Sequence, residues 1–174
     1  GDYTHRIEAP GEGPGEFRAI SDLLWVTNGY LVFDRRLGRL SRFSNDFEFI
    51  GTHSMPFVPL RLEGLSNGDL VFNAVSPASA ARGHLVHVAD TSGVLKASFG
   101  GDERPIDLRI GNHILSRILE PTADGTIWTS RRDRYELVAF SRSGDTLQVL
   151  TRNADWFEPD AGPQAPVDPL SRPP

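Results

Sequence analysis

The sequence predicts an all-β fold: four-stranded antiparallel blades, about three in this chain, arranged as part of a β-propeller. Three observations carry this. Asn-Gly or Asp-Gly turns lie between apolar stretches at Asn28-Gly29, Asn67-Gly68 and Asp124-Gly125, and such pairs supply the positive φ that a tight hairpin requires. A second hairpin follows each of them in the same order. Helical periodicity with caps at both ends occurs nowhere; even Leu108–Leu119 is broken by Gly111-Asn112. The turn glycines Gly29, Gly68 and Gly125 lie 39 and 57 residues apart, and the longer gap holds an insertion from Gly100 to Asn112. The underlying period is then roughly 40 to 50 residues, the length of a propeller blade. A β-sandwich also strings short strands between turns, but it needs no such register.

Each element follows in order. Residues 1–16 open with Tyr3-Thr4-His5-Arg6-Ile7-Glu8, which reads as a lone outer strand, and continue into a glycine-rich crossing. Residues 17–158 hold the three blades, at about 17–55, 56–100 and 113–152. In the first, Leu23–Val26 and Tyr30–Asp34 flank Asn28-Gly29, and Arg39–Phe43 turns at Ser44-Asn45-Asp46 into Phe47–Ile50. In the second, Leu62–Leu65 and Leu70–Asn73 are followed by His84–Val88, Asp90–Gly93 and Val94–Phe99. In the third, Leu119–Thr122 and Thr126–Ser130 precede Tyr135–Phe140, Arg142–Asp145 and Thr146–Leu150. Residues 159–174 form a tail in which six of sixteen residues are Pro, a composition that favours extended polyproline geometry.

Three blades fall short of the four to eight that a closed ring uses. Two sides are left open, and each should expose apolar side chains that call for a neighbouring blade. Self-association or further blades are therefore the expected partners, with Tyr3, His5, Ile7, Trp156 and Phe157 as candidate self-association residues.

The 174 residues are 39% hydrophobic and 24% charged, as in a folded domain, and no apolar run is long enough to span a membrane. Cysteine is absent, which excludes disulfides, thiolate metal sites and a cysteine nucleophile. Acids outnumber bases 23 to 18, which argues against nucleic acid as a partner. All basic residues but Lys96 are Arg, the better bidentate ligand for carboxylates and phosphates. In a four-stranded blade the loops joining second to third strands share one face with the crossings between blades. That reading gathers Arg35, Arg36, Arg82, Arg104, Arg109, Arg131, Arg132 and Arg134 on one face, the candidate site for an anionic polymer or protein. Pairing with Asp34, Asp102, Asp107 and Asp133 is the alternative use of these arginines. His84 and His87, three apart on one strand, point to opposite faces and cannot chelate together. Trp25 and Trp128 fit inner strands and are expected in the core rather than as sugar platforms. No serine elbow or distinctive carboxylate pair stands out.

Gly11-Glu12-Gly13-Pro14-Gly15-Glu16-Phe17 resembles the glycine-rich signature that opens blades of NHL-repeat propellers, and Asp34–Phe43 resembles the D-x-x-N-x-R-I-x-x-F stretch that follows it there. Ala154-Asp155-Trp156-Phe157 is similar to a segment of bacterial six-bladed propeller proteins, many of them exported lipoproteins. The resemblance implies half of a six-bladed ring in an exported, periplasmic or cell-surface protein. It includes scaffolds and interaction domains, and a few metal-dependent lyases or hydrolases. The expected function is accordingly a non-catalytic scaffold without cofactor. Its alternatives are a self-assembling structural subunit, its propeller completed between chains or extended into filaments, or an axial lyase or hydrolase. The divalent metal ion of the latter is held by His53 and His113, both expected in crossings between blades. The glycine motif itself reads as a tight crossing; without a following Lys-Ser/Thr and a helix it is no phosphate loop.

Overall fold

The structure is a computed structural model and describes residues 10–76, 83–101, 116–131 and 134–157. The expected lone strand with Tyr3, His5 and Ile7, and the Pro-rich tail, lie outside the described residues. Every regular element among the described residues is a β-strand. The first sheet holds β1 (Ile20–Val26), β2 (Gly29–Asp34), β3 (Arg39–Phe43) and β4 (Phe49–Ser54). The second holds β5 (Arg61–Gly64), β6 (Leu70–Asn73), β7 (Val86–Ala89) and β8 (Leu95–Phe99). The third holds β9 (Ile118–Pro121), β10 (Ile127–Ser130), β11 (Glu136–Phe140) and β12 (Thr146–Thr151). Within each sheet the strands pair in chain order, all antiparallel. This is a partial β-propeller of about three blades.

Five hairpins share one loop design. The N–H of the first loop residue meets the carbonyl of the fifth, and the N–H of the fourth meets the carbonyl of the first, at Ser44–Glu48, Leu65–Asp69, Asp90–Val94, Thr122–Thr126 and Ser141–Asp145. The fourth position needs positive φ, and Gly68, Gly93, Gly125 and Gly144 supply it at 87°, 84°, 88° and 96°. In the first sheet Phe47 takes that position at 62°. The turn expected at Ser44-Asn45-Asp46 thus runs on to Phe47. The sixth hairpin is tighter, with Val26 paired to Gly29.

The sheets touch through their first strands, β1 against β5 and β5 against β9. Two separate cores result. Between the first and second sheets, Leu31, Phe33 and Leu40 meet Leu62, Leu70 and Phe72. Between the second and third, Val71, Val86 and Val88 meet Leu119, Ile127 and Phe140. Each large side chain buried here contributes about 1.5–3 kcal/mol of hydrophobic stabilisation. The middle sheet serves both cores, so β6 and β7 are buried along their whole length, while β4 and β12 line the periphery and are largely exposed.

His87 sits wholly inside the first gap, with its ring 4.8 Å from that of Phe57 and 5.3 Å from that of Phe72. Its Nε2 lies 3.1 Å from the Ala74 carbonyl and its Nδ1 2.9 Å from Ser98 Oγ. A carbonyl only accepts, so Nε2 carries the proton, and in the neutral ring Nδ1 accepts from Ser98. Burial pushes the ring's pKa below the usual histidine value, more than the Ala74 bond restores.

Among the described residues, two flanks lack a facing sheet. On the first sheet, Ile20, Leu23 and Trp25 are exposed, Trp25 at 70%. The expectation of a core Trp25 is corrected here. Trp25 alternates with Leu24 and Val26, which do enter the core, and so points to the flank that no sheet covers. Its ring meets Tyr30 edge-on at 5.0 Å, and Tyr30 stacks on Phe47 at 5.1 Å. On the third sheet, Ile118, Ser130, Leu137 and Leu150 form one row across the four strands. The three apolar members of that row are all about half exposed. Trp128 stands half-buried in β10, a second strand rather than an inner one.

Candidate functional site

The loop joining β2 to β3 is shaped by a single carboxylate. Asp34, fully buried, accepts the N–H groups of Arg36 and Leu37 inside the loop and of Arg18 and Ala19 in the crossing before β1. Burial alone would raise its pKa; the four N–H donors outweigh that and hold it below the usual carboxylate value. Because these donors occupy the Asp34 oxygens, the carboxylate does not pair with the neighbouring arginines. Arg35 and Arg36 project into solvent with no ion pair among the described residues.

Arg39 clasps the glycine-rich crossing to the same end of the sheet. Its guanidinium donates to the carbonyls of Glu12, Gly13 and Glu16, each at 2.8 Å. Glu16 closes the crossing on itself, its carboxylate accepting the Gly13 N–H at 2.7 Å. A Cβ on Gly11 would collide with that carboxylate, and Gly15 stands at φ 74°. The crossing is therefore held on both sides by hydrogen bonds, a side chain on Gly11 would displace the Glu16 carboxylate, and the φ of Gly15 favours glycine.

At the corresponding end of the third sheet, Arg131, Arg134 and Arg152 line a groove of about 450 Å³ floored by Tyr135, Leu137 and Phe157. The three arginines come together because Glu136 pairs with Thr151, which puts the start of β11 beside the end of β12, and the Arg152 N–H bonds the Tyr135 carbonyl. Tyr135 packs edge-on against Trp156 at 5.5 Å and tilted against Phe157 at 5.4 Å, so these two aromatics anchor the chain leaving β12 to the start of β11. Arg152 was not among the residues expected from the sequence; only the strand register brings it to the groove.

Of the eight arginines expected on the loop face, Arg35, Arg36, Arg131 and Arg134 are described, all on loops between second and third strands. Arg82, Arg104, Arg109 and Arg132 lie outside the described residues, as does His113. His53, expected in a crossing, stands instead in β4, opposite Leu40. The β3–β4 ladder, bulged between Arg42 and Phe43, runs on to Ser54 and carries His53 onto the outermost strand, away from the inner strands that would border an axial ion. No group of three or more metal-ligating side chains occurs among the described residues.

The inner strands carry acids instead. Asp22, Glu63 and Glu120, one from each of β1, β5 and β9, are close enough to interact. Burial raises the Glu63 pKa; Glu120 and Asp22 raise it further, and Arg61 opposes them. At the other end of the inner strands, a recess of about 370 Å³ is bordered by Thr27, Ser66, Asp69 and Thr122 together with Trp25. Asp69 is held there by Lys96 at 2.6 Å.

A family model, DUF5128, described as a 6-bladed beta-propeller, matches residues 1–116. Solved structures of similar fold include a candidate exported protein from Bacteroides fragilis, 16% identical, with a TM-score of 0.65 over 83% of this chain and 40% of that one. A member of the duf4221 family from Bacteroides vulgatus is 10% identical, with a TM-score of 0.58 over 89% of this chain and 49% of that one. A catalytically inactive virginiamycin B lyase from Staphylococcus aureus is 12% identical, with a TM-score of 0.54 over 85% and 45% of the two chains. At such identities the likeness is one of fold. The chain spans less than half the length of each of these three proteins. No curated protein matches it. Among the described residues no helix is long and apolar enough to cross a membrane.

Proposed function

The chain belongs to the DUF5128 family of 6-bladed β-propellers, and on that premise we propose that it is a non-catalytic, exported scaffold that binds an anionic protein or polymer through the arginine-bearing loop ends of its blades. One observation carries the reading. Arg35, Arg36, Arg134 and Arg152 project from corresponding ends of two sheets with no ion pair among the described residues, although the chain as a whole has a net charge of −5. Exposed guanidinium groups so placed are available for carboxylate, sulfate or phosphate oxygens. Asp34 fixes the backbone of the β2–β3 loop, so little ordering opposes binding at Arg35 and Arg36. Export is supported by the fold shared with the candidate exported protein of Bacteroides fragilis. The metal-dependent alternative draws no support from His53 on the outermost strand.

The test is retention on a dextran sulfate resin in rising salt. Replacing Arg35, Arg36, Arg134 and Arg152 with Ser should bring elution to distinctly lower salt. A control that replaces Arg42, Arg61, Lys96 and Arg142 with Ser matches the change in net charge. Equal elution of the two variants would overturn the proposal.

A further inference from the structure

Given the anion-binding reading above, on which this rests, we infer that His84 belongs to the same face and strengthens binding there as pH falls. The middle sheet is covered on both sides by sheets of this chain, so further blades would add to the outer flanks and not to it. At its loop end, between Gly83 and the start of β7, stands His84. It lies as many residues before the positive-φ position of its outer hairpin, Gly93, as Tyr135 lies before Gly144 and Gly38 before Phe47. Tyr135 follows Arg134, and Gly38 closes the loop that carries Arg35 and Arg36. His84 therefore sets an imidazole on the middle blade, between the arginines of the first and the third.

The ring is half-buried and meets solvent by one edge. Its Nδ1 is buried beside the backbone at Gly101 and has no hydrogen-bond partner. An N–H turned into that place would go unsatisfied, so the neutral ring carries its proton on Nε2, the edge from which it can donate to a ligand. Gaining the second proton costs the burial of an unpaired Nδ1–H, and an anion at the Nε2 edge offsets that cost. Gly83 and Gly101, which pack beside the ring, bring no charge, and no ion pair reaches it among the described residues. The titratable group that it does influence is His87, buried and held neutral by its own depressed pKa. Histidine ordinarily gains its charge between pH 8 and 5, whereas arginine keeps its own throughout. By linkage, an anion that favours the imidazolium is bound more tightly as the imidazolium forms.

The test is the Kd for a fluorescently labelled dextran sulfate at pH 8 and at pH 6, with ionic strength held fixed. His84 should contribute about two- to fivefold of the tightening between the two, the strength of an exposed ion pair. His84→Gln should remove that part of the gain and leave the Kd at pH 8 within about twofold of wild type. His84→Arg should bind at pH 8 at least as tightly as wild type does at pH 6, and it keeps the test decisive should the Gln variant fold poorly. His53→Gln, on the outermost strand, should keep the whole gain. An undiminished gain in His84→Gln would overturn the inference, as would an equal loss in His84→Gln and His53→Gln, which marks a general effect of charge. The two readings fail in different ways. Equal binding by the four-arginine variant and its control would bring down anion binding at this face and the role of His84 with it. Binding lost in the arginine variant, with the full gain kept in His84→Gln, would dismiss His84 alone.

Discussion

Gly29 has no substitute at the tightest hairpin. A Cβ there would overlap the carbonyl oxygen of Phe43 on the neighbouring strand β3, and its φ of 146° is one that side chains rarely adopt. Gly29→Ala should destabilise the chain by more than about 2 kcal/mol in urea denaturation, whereas Gly38→Ala, with open space around its Cβ, should cost only the strain of its φ of 62°. Two titratable groups are also exposed to test. His87 has its folded pKa depressed by burial, so its neutral form contributes fully above the ordinary value of 6.5. That contribution is lost as pH falls below 6.5 toward the folded pKa, because the unfolded chain takes up the proton first. His87→Gln should flatten this part of the stability–pH curve. Glu63 runs the other way. Its raised pKa means that ionisation costs stability above the ordinary value of 4.5. Glu63→Gln should therefore raise the melting temperature at neutral pH, with the gain vanishing as pH falls below 4.5.

Among elements, the glycine-rich crossing and the β2–β3 loop act as one piece. Asp34 joins them through backbone N–H groups and Arg39 through three carbonyls. Arg39→Ala should cost about 2 kcal/mol or more, since hydrogen bonds from a charged donor contribute roughly 1.5–3 kcal/mol each. Arg39→Lys should rescue little of it, because one ammonium cannot reproduce the planar fork. Hydrogen exchange at Gly11 and Gly13 reads the loosening directly. Much at this scale was legible in the sequence. The Asn-Gly and Asp-Gly pairs and the later glycines mark the hairpin corners because the turn geometry admits few other residues, and those corners fix the four-strand rhythm. What escaped depended on register. The alternation around Trp25 shows that it faces away from Leu24 and Val26, but not that its side lacks a neighbour. Arg152 reaches the groove only through the pairing of Glu136 with Thr151, and His53 joins a strand only because the β3–β4 ladder continues past its bulge. Phe47 hid for a related reason: no residue type other than Gly or Asn announces a positive φ.

The whole molecule is a stack in which each sheet depends on the next. Phe72, wholly buried in the first gap, packs against Phe57 and His87. Phe72→Ala should cost about 3–5 kcal/mol, and because that gap is separate from the second, near-neighbour effects should dominate: the third sheet should keep more of its protection than the first. The sequence puts the second-to-third strand loops on one side of every blade, and of the arginines expected there Arg35, Arg36, Arg131 and Arg134 are described on such loops. The apolar flanks were anticipated too, from the shortage of blades for a closed ring. The acids of the inner strands were not, because Asp22, Glu63 and Glu120 stand in unlike sequence contexts and only become neighbours when three sheets share an axis.

The central sheet, sealed on both faces, has a kinetic consequence. Strands covered on one face only should open before those covered on both, so the last amides to trade their protons for deuterium should be those of Leu70–Asn73 and Val86–Ala89. Strands Ile20–Val26 and Thr146–Thr151 should surrender theirs first. The molecule would then melt inward toward its keystone.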